Sequence, residues 1–273
     1  LLTGFHRQTL DDKIVSTPRY VWKEPDPAGS LYSSARDLAA FLRVELGAGV
    51  GKFVSDEALD EMHRPQMTVR LAGFTKEVNP ESTQIAYGLG WAVQDYRGHL
   101  MMLHGGAIDG ARVQFTLVPD LGLGIALLTN LEGHFGNMAM SNQIVDRFLN
   151  LPKGAERDWQ GLFRRIEGEQ LQAVRDRGRH LRTDQKPGAA PLLPLPAFVG
   201  DYVDPAYGTC RIRLVDGRLR MAWGDLSSSL EFAAGMRFLA IEPPCYDVIV
   251  DFRVEKGSIA SLRTLERDFV RKK

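Results

Sequence analysis

At 273 residues, 44% hydrophobic and 25% charged, the chain has a composition that excludes disorder and fibrous structure and leaves room for two domains. Its 34 Lys+Arg balance 34 Asp+Glu, so no net field draws it to nucleic acid or to an anionic membrane surface. No apolar run reaches the roughly 18 to 20 residues of a membrane-spanning helix; the longest, around Leu121 to Leu128, is the size of a strand.

The opening residues, Leu1-Leu2-Thr3-Gly4-Phe5-His6-Arg7, have neither an initiator Met nor a charged-then-apolar leader, so the chain reads as the continuation of a longer polypeptide. The compartment is left open, with periplasm and exterior among the alternatives. Ser33-Ser34-Ala35-Arg36-Asp37 followed by Leu38 to Gly47 predicts a helix with a serine N-cap, an apolar face at Leu38, Phe41, Leu42 and Leu46, and a glycine stop. Ser55 to His63 predicts a second, shorter helix, again serine-capped with acids in its first turn and ending before Pro65. Met67 to Thr83 is polar and aperiodic and predicts an irregular surface excursion.

From Tyr87 the texture changes. Tyr87 to Val93, His99 to Leu103, Val113 to Val118 and Leu123 to Thr129 predict an antiparallel meander, with Pro119-Asp120-Leu121-Gly122 as one of its turns. Gly124 to Leu128 is apolar on both faces and predicts a central strand with helices on each side, one of them supplied by Met138 to Leu149. Glu156 to Arg182 is amphipathic, with Trp159, Leu162, Phe163, Ile166, Leu171, Val174 and Leu181 near one stripe; its seven basic and five acidic residues describe a solvated outer face rather than a nucleic-acid patch. Lys186 to Pro196 is rich in proline and predicts a linker.

After it, Cys210 to Leu214 and Leu219 to Trp223 flank Asp216-Gly217, and Val248 to Val254 and Ile259 to Leu265 flank Glu255-Lys256-Gly257, a rhythm of hairpins that predicts a small antiparallel β domain or barrel. The expected class is α+β, with residues 1–152 as the first domain, 153–197 as helix and linker, and 198–273 as the β domain. Cys210 and Cys245 are too few for a disulfide scaffold and wrongly spaced for zinc; two small buried thiols are expected, with a disulfide between them as the alternative.

Absent motifs remove whole classes of chemistry. There is no Gly-x-Ser-x-Gly elbow and no Walker A loop, and Gly122-Leu123-Gly124 has Leu127 where a dinucleotide fingerprint needs its third glycine. His99 and His104, an odd number of residues apart on one strand, point to opposite faces and do not share a metal. No metal or cofactor is expected. The candidate that remains is Leu103-His104-Gly105-Gly106-Ala107: small residues beside a polar one let a substrate lie close to the strand, and an unpaired backbone N–H there can face an oxyanion. Taken alone, such a triplet is also consistent with a turn and a satisfied histidine.

The order Pro27-Ala28-Gly29-Ser30-Leu31-Tyr32-Ser33-Ser34-Ala35-Arg36-Asp37, Tyr87-Gly88-Leu89-Gly90-Trp91, His104-Gly105-Gly106 and Leu127-Leu128-Thr129-Asn130 resembles the C-terminal half of the penicillin-recognising serine hydrolases, over roughly residues 1 to 150. Within them it is most similar to the class C β-lactamase-related esterases and peptidases. The resemblance implies that His104 stands beside the nucleophile and handles a proton or the substrate carboxylate. It implies further that the Ala107 N–H serves the oxyanion hole and that Gly105 and Gly106 keep the strand open to a small-molecule or peptide substrate. Asp109-Gly110-Ala111 departs from the Pro-Gly-Phe common in the family. Phe198-Val199-Gly200-Asp201-Tyr202 and the hairpins after it resemble the lipocalin-like domain appended to some members, an accessory that caps the site or mediates assembly.

These hydrolases need a Ser-x-x-Lys nucleophile and a Tyr-x-Asn or Ser-x-Asn relay. None of the nine lysines has a serine three residues before it, and none of the five asparagines has Tyr or Ser two before it. Ser33 and Ser34 are expected as helix caps, and Ser30 as a pocket-wall residue. The chain alone is therefore expected to be inactive and to require either the missing N-terminal part or a self-associated copy. The alternative is a non-enzymatic module whose β domain holds an apolar ligand or a partner.

Overall fold

Wherever a chain folds back through only two residues, both must adopt backbone angles that suit the twist of paired strands, and such turns set the topology here. Asp216 and Gly217 have φ of 49° and 76°, Lys256 and Gly257 49° and 78°, and Arg97 and Gly98 51° and 88°. The computed structural model describes residues 4–8, 13–17, 29–49, 51–108, 110–183, 190–242, 245 and 248–272, without the side chains of 177–183. It comprises two units, Leu1–Glu169 and Gln170–Lys273.

In the first unit a hairpin of β1 (Phe5–Gln8) and β2 (Ile14–Thr17) precedes helices α1 (Ala35–Arg43) and α2 (Asp56–His63). The chain then adds β3 (Met67–Val69), α3 (Phe74–Val78), β4 (Ile85–Tyr87), β5 (Ala92–Tyr96), β6 (His99–Ile108), β7 (Ala111–Val118), β8 (Leu123–Thr129), α4 (Gly136–Phe148) and α5 (Trp159–Thr183). Strands β3 to β8 form one antiparallel sheet in sequence order. The two-residue strand period sorts its side chains. Met102, Phe115, Leu117 and Ala126 join Leu42 and Leu46 on one face, while Met101, Val118 and Ile125 join Val145, Trp159, Phe163 and Ile166 on the other. α1 lies so close to the sheet that a Cβ on Gly124 would stand 3.1 Å from the Leu42 Cβ.

The predicted caps are present: Ser34 accepts the Asp37 N–H and Ser55 the Ala58 N–H. Two expectations are corrected. Met67 to Thr83 contains β3 and α3, elements of three and five residues, too short to show a period; β3 is held by backbone pairing with β4. The run Gly124–Leu128 belongs to β8, which ends the sheet among the described residues instead of lying in its centre. Its apolar double face comes from α1 above and α4 below, and carries no information about lateral neighbours. Along α5, Trp159, Phe163 and Ile166 are buried, but Val174 is 38% exposed; the Leu181 side chain and residues 184–189 of the expected linker lie outside the described residues.

The helical face behind the sheet is tied down by one carboxylate. Buried Asp146 on α4 accepts the Tyr96 hydroxyl and the Trp159 indole N–H, each at 2.6 Å, and its Oδ1 lies 3.2 Å from Arg97 Nε. Burial first, then the Asp146 charge, push the Tyr96 phenol far above its ordinary range and keep it a donor. Arg97 continues to Glu81 at 3.6 Å and Glu81 to Arg157 at 2.6 Å. A left-handed arginine in the Arg97-Gly98 turn is thus held by its own side chain.

The second unit is a closed antiparallel barrel. Its strands are β9 (Gly200–Asp204), β10 (Gly208–Val215), β11 (Arg218–Trp223), β12 (Leu226–Ala234), β13 (Arg237–Ala240), β14 (Ile249–Glu255), β15 (Ser258–Thr264) and β16 (Arg267–Arg271), and β16 returns to pair with β9. Phe198, in a 3₁₀ turn before β9, packs edge-on against Phe238 at 5.0 Å and Phe252 at 4.9 Å. Cys210 and Cys245 are buried thiols in this interior, with no disulfide between them. Burial, with a smaller contribution from Cys245, pushes the Cys210 thiol up to about 12.

Replacing Asp146 with Ala strands Arg97 and leaves two buried donors unpaired, a loss of about 3–5 kcal/mol. Urea unfolding followed by Trp fluorescence should show the first unit's transition move to lower denaturant by that amount, with Asp146→Asn losing less.

Candidate active site

β6 outlasts its neighbour. Pairing with β5 stops at Ala92↔Leu103, whereas pairing with β7 runs on to Ile108↔Ala111. Among the described residues, 104–108 therefore pair with a strand on one side only, and His104, Gly105, Gly106 and Ala107 are exposed. An added Cβ would meet its nearest neighbour at 3.5 Å on Gly105 and 3.6 Å on Gly106, ordinary contact distances. Internal packing does not demand either glycine, although each weakens a strand by roughly 0.5–1 kcal/mol relative to alanine.

His104 is oriented by the loop that leads into β5. Its Nδ1 is hydrogen-bonded to the Gly90 carbonyl, and a carbonyl only accepts, so Nδ1 carries the proton and the neutral ring keeps its lone pair on Nε2. The Trp91 ring meets the imidazole edge-on, with centroids 6.4 Å apart. The loop itself is seated on the end of α2: Leu89 N–H donates to the Met62 carbonyl at 3.0 Å, Gly88 N–H to the Trp91 carbonyl at 2.7 Å. A Cβ on Gly88 would fall 2.5 Å from the Met62 oxygen. Sequence reasoning did not reveal that His63 also meets Trp91, centroids 6.1 Å apart, or that His63 Nε2 lies 2.9 Å from Glu45 Oε2. Contacts between residues this far apart along the chain leave no local signal.

The far end of the strand is clamped as well. Gly110, at the β6–β7 turn, has φ of 81°, donates its N–H to Glu132 at 2.7 Å and gives its carbonyl to His6 N–H at 3.2 Å. A side chain there would run into Thr17 Oγ1 at 2.3 Å. Asp109, part of the departure from the family pattern, lies outside the described residues.

The four predicted site residues stand consecutively on this one strand, His104 and Gly106 facing α1 and Gly105 and Ala107 facing the opposite way. His99 is hydrogen-bonded to Asp120, and among the described residues no group of three His, Cys, Asp or Glu side chains could hold a metal. Ser34 is occupied as a cap, also donating to Asp37 Oδ2 at 2.7 Å.

His134 belongs to the structure behind the sheet. Its Nδ1 accepts the Gly136 N–H at 3.0 Å, which leaves Nε2–H to donate to Thr129 Oγ1 at 3.0 Å. Burial foremost, with Arg112 adding to it and Glu167 opposing, lowers its pKa from the ordinary 6.5. At pH well above 6.5 both folded and unfolded chains hold it neutral; as pH falls below that value the unfolded chain takes up a proton first, so stability is lost.

The Beta-lactamase family matches this chain over residues 5–149. Among curated relatives, the unguisins hydrolase ungD' of Aspergillus campestris is 28% identical over 154 residues, covering 55% of this chain and 29% of that protein. The unguisins hydrolase ungD of Aspergillus violaceofuscus is 30% identical over 148 residues, 51% of this chain and 26% of that protein. Putative beta-lactamase-like 1 of Homo sapiens is 31% identical over 102 residues, 37% of this chain and 19% of that protein. The chain thus spans less than a third of each relative's length. An octameric penicillin-binding protein homologue from Pyrococcus abyssi is 16% identical with a TM-score of 0.48, covering 98% of this chain and 53% of that one.

Two outcomes are expected. Gly106→Ala should leave the thermal midpoint unchanged or slightly raised, by differential scanning calorimetry, since the new methyl meets only ordinary contacts. Between pH 7 and 5, across the 6.5 at which free histidine titrates, wild-type stability should fall more steeply than that of His134→Asn, in which an amide oxygen accepts the Gly136 N–H without titrating.

Proposed function

The chain belongs to the beta-lactamase family, and from that premise we propose that residues 1–152 form the C-terminal part of a serine hydrolase that cleaves amide or ester bonds through an acyl-enzyme. Its substrates are a β-lactam, a D-amino-acid peptide or an ester. The nucleophile and its lysine come from polypeptide outside these 273 residues, in which no Ser-x-x-Lys occurs. The observation that carries the reading is the one-sided strand: His104–Ile108 exposes an unpaired edge, two glycines that packing does not require, and an imidazole with its Nε2 lone pair turned outward.

On this reading the substrate lies along the open edge, where Gly105 and Gly106 admit it at backbone distance. The serine Oγ adds to the scissile carbonyl, whose oxygen becomes an oxyanion and takes a hydrogen bond from the Ala107 N–H. His104 Nε2 accepts a proton from the nucleophile's side, or when protonated binds a substrate carboxylate. Collapse of the tetrahedral species expels the leaving group and forms the acyl-enzyme, which water hydrolyses. The naming of two relatives as unguisins hydrolases supports hydrolysis as the reaction type.

The edge of β8, unpaired among the described residues, with Phe41 42% and Leu128 41% exposed nearby, supports association with the N-terminal part or with a second copy. A ligand-binding role for the β domain has less support, because aromatic and aliphatic side chains fill the described interior of the barrel.

The decisive experiment supplies the purified 273-residue chain with a separately produced fragment carrying the Ser-x-x-Lys and Tyr-x-Asn segments and follows nitrocefin and p-nitrophenyl acetate hydrolysis. Turnover should appear only in the mixture and should fall by roughly 10²- to 10³-fold in kcat/KM with His104→Ala. Undiminished turnover in that variant would overturn the assignment.

A further inference from the structure

Buried Glu45 and half-buried His63 form a pair that the fold could do without. Glu45 lies in the π-turn Val44–Ala48 that prolongs α1, is 6% exposed, and has its carboxylate 2.9 Å from His63 Nε2. Withdrawing such an ion from water costs several kcal/mol, and a packed apolar pair of similar volume usually holds two elements as well or better. What the pair contributes beyond adhesion is direction, and the direction leads to His104.

His63 and His104 both contact one indole. The Trp91 ring, 4% exposed, meets both imidazoles edge-on, at 6.1 Å and 6.4 Å. The peptide unit joining Gly90 to Trp91 carries the very carbonyl that receives the His104 Nδ1–H. A displacement of the Trp91 residue as a whole would carry that peptide with it, draw the carbonyl away and release the imidazole to its other tautomer.

We propose that Glu45 and His63 are positioning residues for His104. Glu45 fixes the His63 ring, His63 fixes Trp91, and Trp91 fixes the Gly90 carbonyl, so that His104 is held as the Nδ1–H tautomer with Nε2 presented on the open side of β6. Neither residue touches the reacting atoms. The inference rests on the reading of His104 as part of an acylation site, and extends it by naming what sets its protonation geometry.

Long-range ¹H–¹⁵N correlation of the imidazoles in the ¹⁵N-labelled full chain tests it without any turnover. Wild-type His104 should be predominantly Nδ1–H. Glu45→Leu and His63→Phe, which both keep the core filled, should lose that predominance and shift the Trp91 indole N–H resonance, whereas Glu45→Gln, which retains an oxygen acceptor, should stay close to wild type. Folded variants in which His104 keeps its wild-type tautomer would overturn the proposal; should Glu45→Leu fail to fold, His63→Phe decides. In the reconstituted mixture, His63→Phe should lower kcat roughly tenfold with KM little changed, the behaviour of a displaced catalytic group. A wild-type mixture without turnover would count against the acylation reading alone, since the tautomer is measured independently of it.

Discussion

A strand bonded on one side only is the constraint to which the first unit answers. Beyond Leu103, β6 has β7 but no β5, and a strand with two successive glycines and half its backbone partners would fray if left to itself. Both its ends are therefore gripped by elements remote in sequence. The β1–β2 hairpin closes over Gly110 at the tip, while the Gly88–Trp91 loop, seated on α2, holds His104 at the base. Flexible residues are thus presented on a rigid frame, which is the condition for a backbone N–H to keep a fixed direction toward a ligand.

The two faces of the sheet divide the work. Behind it, Thr116 bonds to Ser141 at 2.6 Å, and Asp146 gathers Tyr96, Trp159 and Arg97. These buried groups engage one another within the fold. On the α1 face the polar groups are used differently: half-buried His63, bonded to Glu45, and exposed His104 both meet the Trp91 ring.

Much of this was legible because the deciding signals are local. Ser34 and Ser55 cap helices through backbone N–H groups three residues away, and Asp216-Gly217 and Lys256-Gly257 reverse the chain between alternating runs. The Leu265-Glu266 turn, with φ of 45° and 63° and no glycine, illustrates a reversal imposed by the barrel around it. The four candidate residues were legible as a motif because they are consecutive. Their openness was not, since it depends on β5 beginning only at Ala92 and so pairing no further than Leu103. The edge position of β8 was hidden for a related reason: periodicity reports what lies above and below a strand, never beside it.

The barrel shows the same distinction between outline and content. Closure through β16 and β9 removes every free strand edge and gives the outline of a ligand carrier. An eight-stranded barrel, however, is only wide enough to be filled by side chains or to hold one small molecule, and here Phe198, Tyr202, Phe238, Phe252 and Phe269 all point inward with almost no exposure. Phe198 reaches that interior from outside the strands, like a stopper, and Tyr202 fastens it by donating its hydroxyl proton to the Phe198 carbonyl at 2.8 Å. A small ligand entering would have to displace packed rings whose mutual contacts already supply what it would offer. The features of this unit available to other molecules are accordingly on its outer surface, where Arg213 pairs with Asp201 and Arg220 with Glu242.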